Sequence, residues 1–319
     1  MTVCAKNDRL SRCEVKNLVN KKSLIGMLYA LLANIIFGFC FIFSKTALKY
    51  ADPLVISSIR FTIAFLVFNL LLLTKRFSLS FKGKPKLNLI IMGLAQPFLY
   101  FIFELYGLSL ISSALSGVII ALVPVGVMIL STIFLKEIPT PLQIVCTLIS
   151  IVGISVMSII SNDGSKNHLL GKILVFGAVI CASVFNILSR NESKRYTAFE
   201  KTYVMTLVGF IGFNLISLIK FKGSYISLSV SALKHSDFVF SILYLAIISS
   251  ILAFFLYNYS TSKISVVQTA SFSNIVTVVT VLAGVVILKE PFTLLQFILC
   301  AVIVLGVWGV NVFTPKKYK

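Results

Sequence analysis

Polar positions in this chain come in clusters, and between the clusters apolar residues run for about twenty at a time. At a rise of about 1.5 Å per residue, a helix needs about 20 such residues to cross a hydrocarbon core of about 30 Å. Five runs in the first half meet that requirement: Leu24–Ser44, Pro53–Thr74, Leu87–Ser109, Ala114–Leu135 and Pro141–Ile160. Five more follow: Leu169–Ser189, Thr202–Ile219, Phe238–Tyr259, Ser265–Leu288 and Phe292–Phe313. The pattern predicts an all-α membrane protein of ten transmembrane helices. Its longest connections, Lys75–Lys86, Arg190–Lys201 and Lys220–Asp237, are too short to hold a separate soluble domain.

The two sets of five are copies. Leu135-Lys136-Glu137 through Leu142-Gln143 matches Leu288-Lys289-Glu290 through Leu295-Gln296 at an offset of 153 residues, which also pairs Tyr106 with Tyr259 and Gly153 with Gly306. The first and sixth helices match at an offset of 145, through Gly26/Gly171, Ala33/Ala178 and Lys45/Arg190. The expected repeats are residues 24–160 and 169–313. An odd number of helices per copy makes the second copy enter the membrane from the opposite side. Inverted repeats of this kind place a site near the midplane, exposed alternately to each side.

Composition agrees with lipid as the solvent. The chain is 58% hydrophobic and 12% charged, where a soluble surface requires roughly 25% charged residues. A net charge of +19 would suggest nucleic acid in a soluble protein, but here the cations lie between apolar runs. Twenty of the 29 Lys and Arg fall on the side of the N-terminus, eight on the other, and Arg60 lies within a span. The positive-inside rule then predicts both termini in the cytosol, with tails at 1–23 and 314–319, in a multi-pass protein of the cell membrane. The six cysteines show neither a CxxC nor a zinc-ligand spacing, so no metal and no cofactor are expected.

The segments Ser44-Lys45, Asp52-Pro53, Arg60-Phe61, Phe103 to Leu108, Ser112-Ser113-Ala114, Pro124, Leu135-Lys136-Glu137 and Leu288 to Pro291 together resemble the drug/metabolite transporter superfamily, specifically its EamA-type permeases. The resemblance covers about Leu24 to Phe313. It implies a central cavity between the halves and movement of small metabolites, often amino acids. Two departures make the halves chemically unequal: Thr277 stands where the first copy has Pro124, and Arg60 has no counterpart in the seventh helix.

Glu104 is the only acid well inside an apolar run. A carboxylate there costs at least about 2.5 kcal/mol on insertion scales and ordinarily faces the bundle interior. It is expected either to bind a substrate amine or a proton, or to form a structural ion pair with Arg60 at a similar depth. Gln96, Tyr100, Glu104 and Gly107 share a helix face, and Gln268, Ser271, Asn274 and Thr277 form a second polar stripe; each stripe either lines a cavity or bonds a neighbouring helix. Asn34 and Asn186 are candidates for substrate contact or interhelical bonding. Pro124 is expected to kink its helix, and Gly117 and Gly126 to permit close helix packing. Lys45 and Arg190 end their helices in snorkelling or gating positions, and Glu137 and Glu290 are expected to favour the helix that follows each of them.

No GxxxxGK[ST] motif is present, so direct ATP drive is not expected. HExxH and GxSxG are absent too, and the only histidines are His168 and His235, which argues against an intramembrane enzyme. The expectation is a secondary transporter, monomeric or a weak homodimer, with protons as the candidate coupling ion; a passive small-solute channel is the alternative.

Overall fold

A computed structural model describes residues 2–74, 78–111, 116, 119–160, 169–288 and 293–315. Among these residues all regular structure is helical: α1 Thr2–Ala47, α2 Pro53–Leu73, α3 Leu87–Leu110, α4 Val123–Leu135, α5 Pro141–Ile160, α6 Leu169–Glu192, α7 Ala198–Phe221, α8 Ser224–Leu233, α9 Ser236–Lys263, α10 Val266–Ser271, α11 Ser273–Leu288 and α12 Leu294–Val312. Seven helices, α2, α3, α6, α7, α9, α12 and the Lys22–Ala47 part of α1, are long and apolar enough to cross a membrane. Shorter apolar helices, Val123–Leu135, Pro141–Val156 and Val266–Thr280, fall within the fourth, fifth and ninth expected spans. Leu66, Leu70, Leu73, Phe297 and Trp308 point outward, as a lipid-facing surface requires.

Local chemistry sets several boundaries. Asp52 caps α2 by accepting from Leu54 N at 2.9 Å, and Pro53 begins that helix, where its missing N–H costs nothing. Thr197 with Glu200, Ser265 with Gln268 and Thr293 with Gln296 form reciprocal capping boxes. Thr140 and Gln143, 153 residues before the last pair, bond each other's backbone in the same way. The internal repeat extends to irregular backbone. Ile111 and Ile264, related by the same offset, end α3 and α9 with matching dihedrals of −130/169° and −123/168°. Both helices also carry a π-helical stretch at corresponding positions, Leu94–Leu99 and Tyr244–Ala253.

The bundle has two distinguishable ends. At one, Tyr106 meets Lys220, Gly171 lies against Leu110 and Ile111, and Tyr50 stacks on His235. At the other, Gly26 lies against Lys263 and Ile264, Asn88 bonds Glu192, and Arg190 bonds Glu137. These are called the Tyr106 end and the Arg190 end. α1 runs from the Arg190 end to the Tyr106 end, and α6, which begins the second copy, runs the opposite way.

Two features add detail to the sequence reading. The connection Lys220–Asp237 contains α8, whose Ile226, Leu228, Val230 and Leu233 are exposed. Pro124 stands in the first turn of α4, after a break at Ala121 and Leu122, because proline lacks the N–H that would have carried the helix through.

Close packing depends on Gly38. A Cβ at that position would lie 2.6 Å from Val279 Cβ and 3.1 Å from Val276 O, and Thr280 Oγ1 donates to Gly38 O at 3.0 Å. Gly38→Ala is therefore expected to cost about 1–3 kcal/mol through overpacking of α1 against α11. Val279→Ala removes the Cγ1 contact but keeps the Cβ at 2.6 Å, so it should recover only part of that loss. Equal thermal midpoints for G38A and the parent in detergent would contradict this packing account.

Candidate functional site

A cavity of about 110 Å³ lies at the centre of the bundle, among residues of α1, α2, α3, α4, α6, α9 and α11. It has room for several waters, the bulk of a small solute. Phe37, Phe41, Phe185 and Phe254 give it apolar walls.

Six residues of the expected site line this cavity: Asn34, Arg60, Gln96, Tyr100, Glu104 and Asn186. Arg60 is 5% exposed and Glu104 8%. Of the two alternatives for Glu104, the direct ion pair with Arg60 does not form. Arg60 Nε instead donates to Ser250 Oγ at 2.7 Å and Nη2 to Ser249 Oγ at 2.8 Å, both on the π-helical stretch of α9. Its guanidinium carbon lies 4.3 Å from the Phe101 ring centroid, a cation–π geometry that holds the plane of the group. Glu104 Oε1 accepts from Tyr100 OH at 3.1 Å, one turn earlier. A cation and an anion thus face one small cavity, each anchored by neutral partners on one side.

Helix geometry explains how α3 does this despite an interruption. Gln96 leaves helical conformation (φ −144°, ψ 121°) before Pro97, yet Gln96, Tyr100 and Glu104 all reach the cavity. Gly107 faces α6, where an added Cβ would sit 2.5 Å from Val175 Cγ2. Gly126 likewise packs against Ser183 of α6, and Gly117 lies outside the described residues. Asn186 accepts from Tyr257 OH at 2.7 Å across helices and donates to Ala182 O; Asn34 donates to Ala30 O in its own helix.

The second stripe is not brought to this cavity. Gln268 caps α10 through Ser265 and reaches Asn311 of α12, and Ser271 accepts from Asn311 Nδ2 at 3.4 Å. Asn274 is buried with Oδ1 unbonded, and Thr277 is half-buried. From this region the cavity receives Ser273 and Val276 instead, because the turn between α10 and α11 rotates the face that a continuous helix would have presented.

Cys40, Ser44, Ser249 and Tyr257 also line the cavity; Ser44 stands out in the sequence only through the family resemblance, and the other three are not site candidates there. Serine, cysteine and tyrosine are ordinary in membrane helices, so no signal separates those four from packing positions. Glu104 and Arg60 stand out because a charge inside a span is rare.

The cavity is placed unevenly. It reaches Ser44 and Leu108, within one turn of the Tyr106 end, but stops at Asn186, six residues or about 9 Å short of Glu192 at the other end. There Arg190 does not snorkel. Its Nε donates to Glu137 Oε1 at 3.1 Å and its Nη1 to Thr261 O at 2.8 Å, while Glu137 Oε2 accepts from Val266 N at 3.2 Å. Glu137 therefore favours the N-terminus of α10, not that of α5. Lys45, the counterpart of Arg190, is exposed, and Glu290 lies outside the described residues. The three ion pairs formed by described residues, Lys84–Glu200, Arg190–Glu137 and Lys220–Asp52, each join the first copy to the second.

A helical membrane bundle folded from two copies around a small charged cavity is the architecture of a solute carrier. Residues 24–159 and 169–312 match the EamA-like transporter family, and the chain belongs to that family, within the drug/metabolite transporter superfamily. It is 31% identical over 304 residues to YcxC, an uncharacterised transporter of Bacillus subtilis, covering 95% of this chain and 97% of that one. It is 24% identical to a probable amino-acid metabolite efflux pump of Salmonella typhimurium, over 89% and 93% of the two chains. A solved crystal structure shares the fold at a TM-score of 0.72 with 18% identity, over 91% of this chain and 97% of that one. The chain is thus a multi-pass membrane transporter.

Proposed function

We propose that this transporter is a secondary carrier of small zwitterionic or amphiphilic metabolites such as amino acids, exporting or exchanging them across the cell membrane by alternating access between inverted five-helix repeats. Ten spans with both termini in the cytosol fit the opposed directions of α1 and α6 and the lysine and arginine asymmetry. The observation that carries the reading is the pair Arg60 and Glu104, two opposite charges on one cavity of about 110 Å³. A guanidinium suits a carboxylate and a carboxylate suits an ammonium, so a free amino acid could satisfy both while its side chain meets Phe37, Phe185 and Phe254. The name of the Salmonella relative supports the same class of cargo.

Ion pairs between the copies at both ends favour a carrier over a passive channel, since moving one copy against the other must exchange them. Gln268, Ser271, Asn274 and Thr277 then act in packing, Lys45 and Arg190 at the ends of the moving helices, and Pro124 at a joint within the fourth span. Protons bound at Glu104 are the simplest coupling ion, and uncoupled exchange uses the same site. The carrier is read as a monomer or weak homodimer in the bilayer.

The test is a thermal-stabilisation screen of the purified protein against free amino acids and their decarboxylated or N-acylated analogues, followed by liposome counterflow of each hit. Saturable counterflow of a zwitterion, lost when either charge is blocked, is the expected result. Counterflow confined to uncharged solutes would overturn the reading.

A further inference from the structure

Lys201, at the start of α7, is completely buried, yet none of the oxygens that bond it belongs to a carboxylate. Its Nζ meets five neutral oxygens: Ser189 O at 2.9 Å, Ser189 Oγ at 3.0 Å, Ser193 Oγ at 2.7 Å, Asn258 O at 3.1 Å and Thr261 Oγ1 at 3.2 Å. An ammonium has three donors, so five oxygens exceed what its hydrogen bonds can use. Carbonyl and hydroxyl oxygens converging from two chain segments, 189–193 and 258–261, are instead the surroundings that replace a cation's hydration shell. The distances are longer than the 2.3–2.6 Å of a calcium shell, which leaves room for a larger monovalent ion.

The source of the oxygens favours a cation further. Ser189 lies in the last turn of α6 and Asn258 near the end of α9, where helix carbonyls carry the negative pole of the dipole. Thr261 Oγ1 donates to Asn258 O at 2.8 Å, and Ser189 Oγ donates to Asn258 Oδ1 at 2.8 Å, which turns hydroxyl lone pairs toward the centre. The nearby Glu192 is buried but stays outside the cage. Its Oε1 accepts from Asn88 and Asn191, and its Oε2 has no partner. Arg190, whose guanidinium bonds Thr261 O, borders the cage as well.

We propose that these five oxygens form a monovalent-cation site which the chain fills from within, the tethered ammonium of Lys201 standing in for a free primary ammonium or alkali ion. The filled site draws the ends of α6 and α9 onto the start of α7 and aligns Arg190 with Glu137. Closure of the Arg190 end is thereby independent of ambient alkali ions. That consequence rests on the alternating-access reading; the existence of the site does not.

The experiment is chemical rescue of full-length Lys201→Ala in detergent, read as a thermal midpoint. The variant should lose about 5 °C or more. Ethylammonium should restore at least half of that loss, whereas tetramethylammonium at equal ionic strength, which has no N–H to offer, should restore none. Lys201→Met keeps volume without charge and guards against a failure of the truncated variant to fold; its midpoint should also fall. A wild-type midpoint for K201M, or equal responses of K201A to the two cations, would overturn the proposal. Because neither arm measures transport, failure here is distinguishable from failure of the assigned function.

Discussion

Arg60→Gln alone should damage this protein more than Arg60→Gln combined with Glu104→Gln. The single change leaves a carboxylate that is 8% exposed facing an apolar cavity without its opposing cation, and strands Ser249 Oγ, which accepts from Arg60 Nη2 at 2.8 Å. A hydrogen bond to a charged group is worth about 1.5–3 kcal/mol, and an unsatisfied buried group costs about 1–3 kcal/mol. The thermal midpoint of R60Q should therefore drop by several degrees. The double variant removes both charges while Tyr100 still donates to the residue 104 side chain, so part of the stability should return. Transport should not: each lost charge-assisted contact lowers the rate on the order of 10- to 100-fold. The double-mutant cycle separates the two roles. Additive stability losses, or near-normal counterflow in the double variant, would refute coupling of the charges through the cavity. E104Q alone adds a measurement. If Glu104 carries the coupling proton, E104Q keeps only the slowed exchange and no longer accumulates substrate in response to a pH gradient, and a pH dependence identical to wild type would exclude Glu104 from that role.

The bundle and its repeat were legible because both depend on long, one-dimensional signals. Apolar runs of about twenty residues admit few structures in a membrane, and the 153-residue offset tied Glu137 to Glu290 and Ile111 to Ile264 before any coordinates. Contacts that depend on three dimensions were hidden. Gln268, Ser271, Asn274 and Thr277 make an even polar stripe, but a turn at Phe272 divides the helix and Asn311 takes up Gln268 and Ser271. Arg60 and Glu104 stand at similar depth, which made a direct pair attractive; the π-helical stretch of α9 offers two hydroxyls that no periodicity announces. The short chain between two spans winds into the helix Ser224–Leu233, which no apolar run of spanning length announces. Lys201 looked like one more loop cation. Its burial comes from α6 and α9 closing over it, which is invisible along the chain.

The same three-dimensional view gives the second large prediction, at the Arg190 end. Glu137 joins the copies twice, to Arg190 Nε and to Val266 N at the start of α10. The pair is 9% and 24% exposed, so it lies between a surface bridge of about 0–1 kcal/mol and a fully buried one whose breaking costs about 3–5 kcal/mol. A loss of about 1–2 kcal/mol from the closed state moves the closed-to-open ratio about 5- to 30-fold. Glu137→Gln should raise the rate at which an impermeant thiol reagent, added from the Arg190 face, reaches Cys40 in the cavity by about that factor. Asp52→Asn at the opposite end breaks a pair that is 31% and 42% exposed and should change labelling little. Swapping the charges, E137R with R190E, should recover only part of the closure. It restores opposite signs but sets a cation against Val266 N and a carboxylate against Thr261 O, where the native arrangement has the favourable polarity at both. Unchanged Cys40 labelling in E137Q, or full recovery in the swap, would mean that the Arg190 end is shut by apolar packing and not by this ion pair.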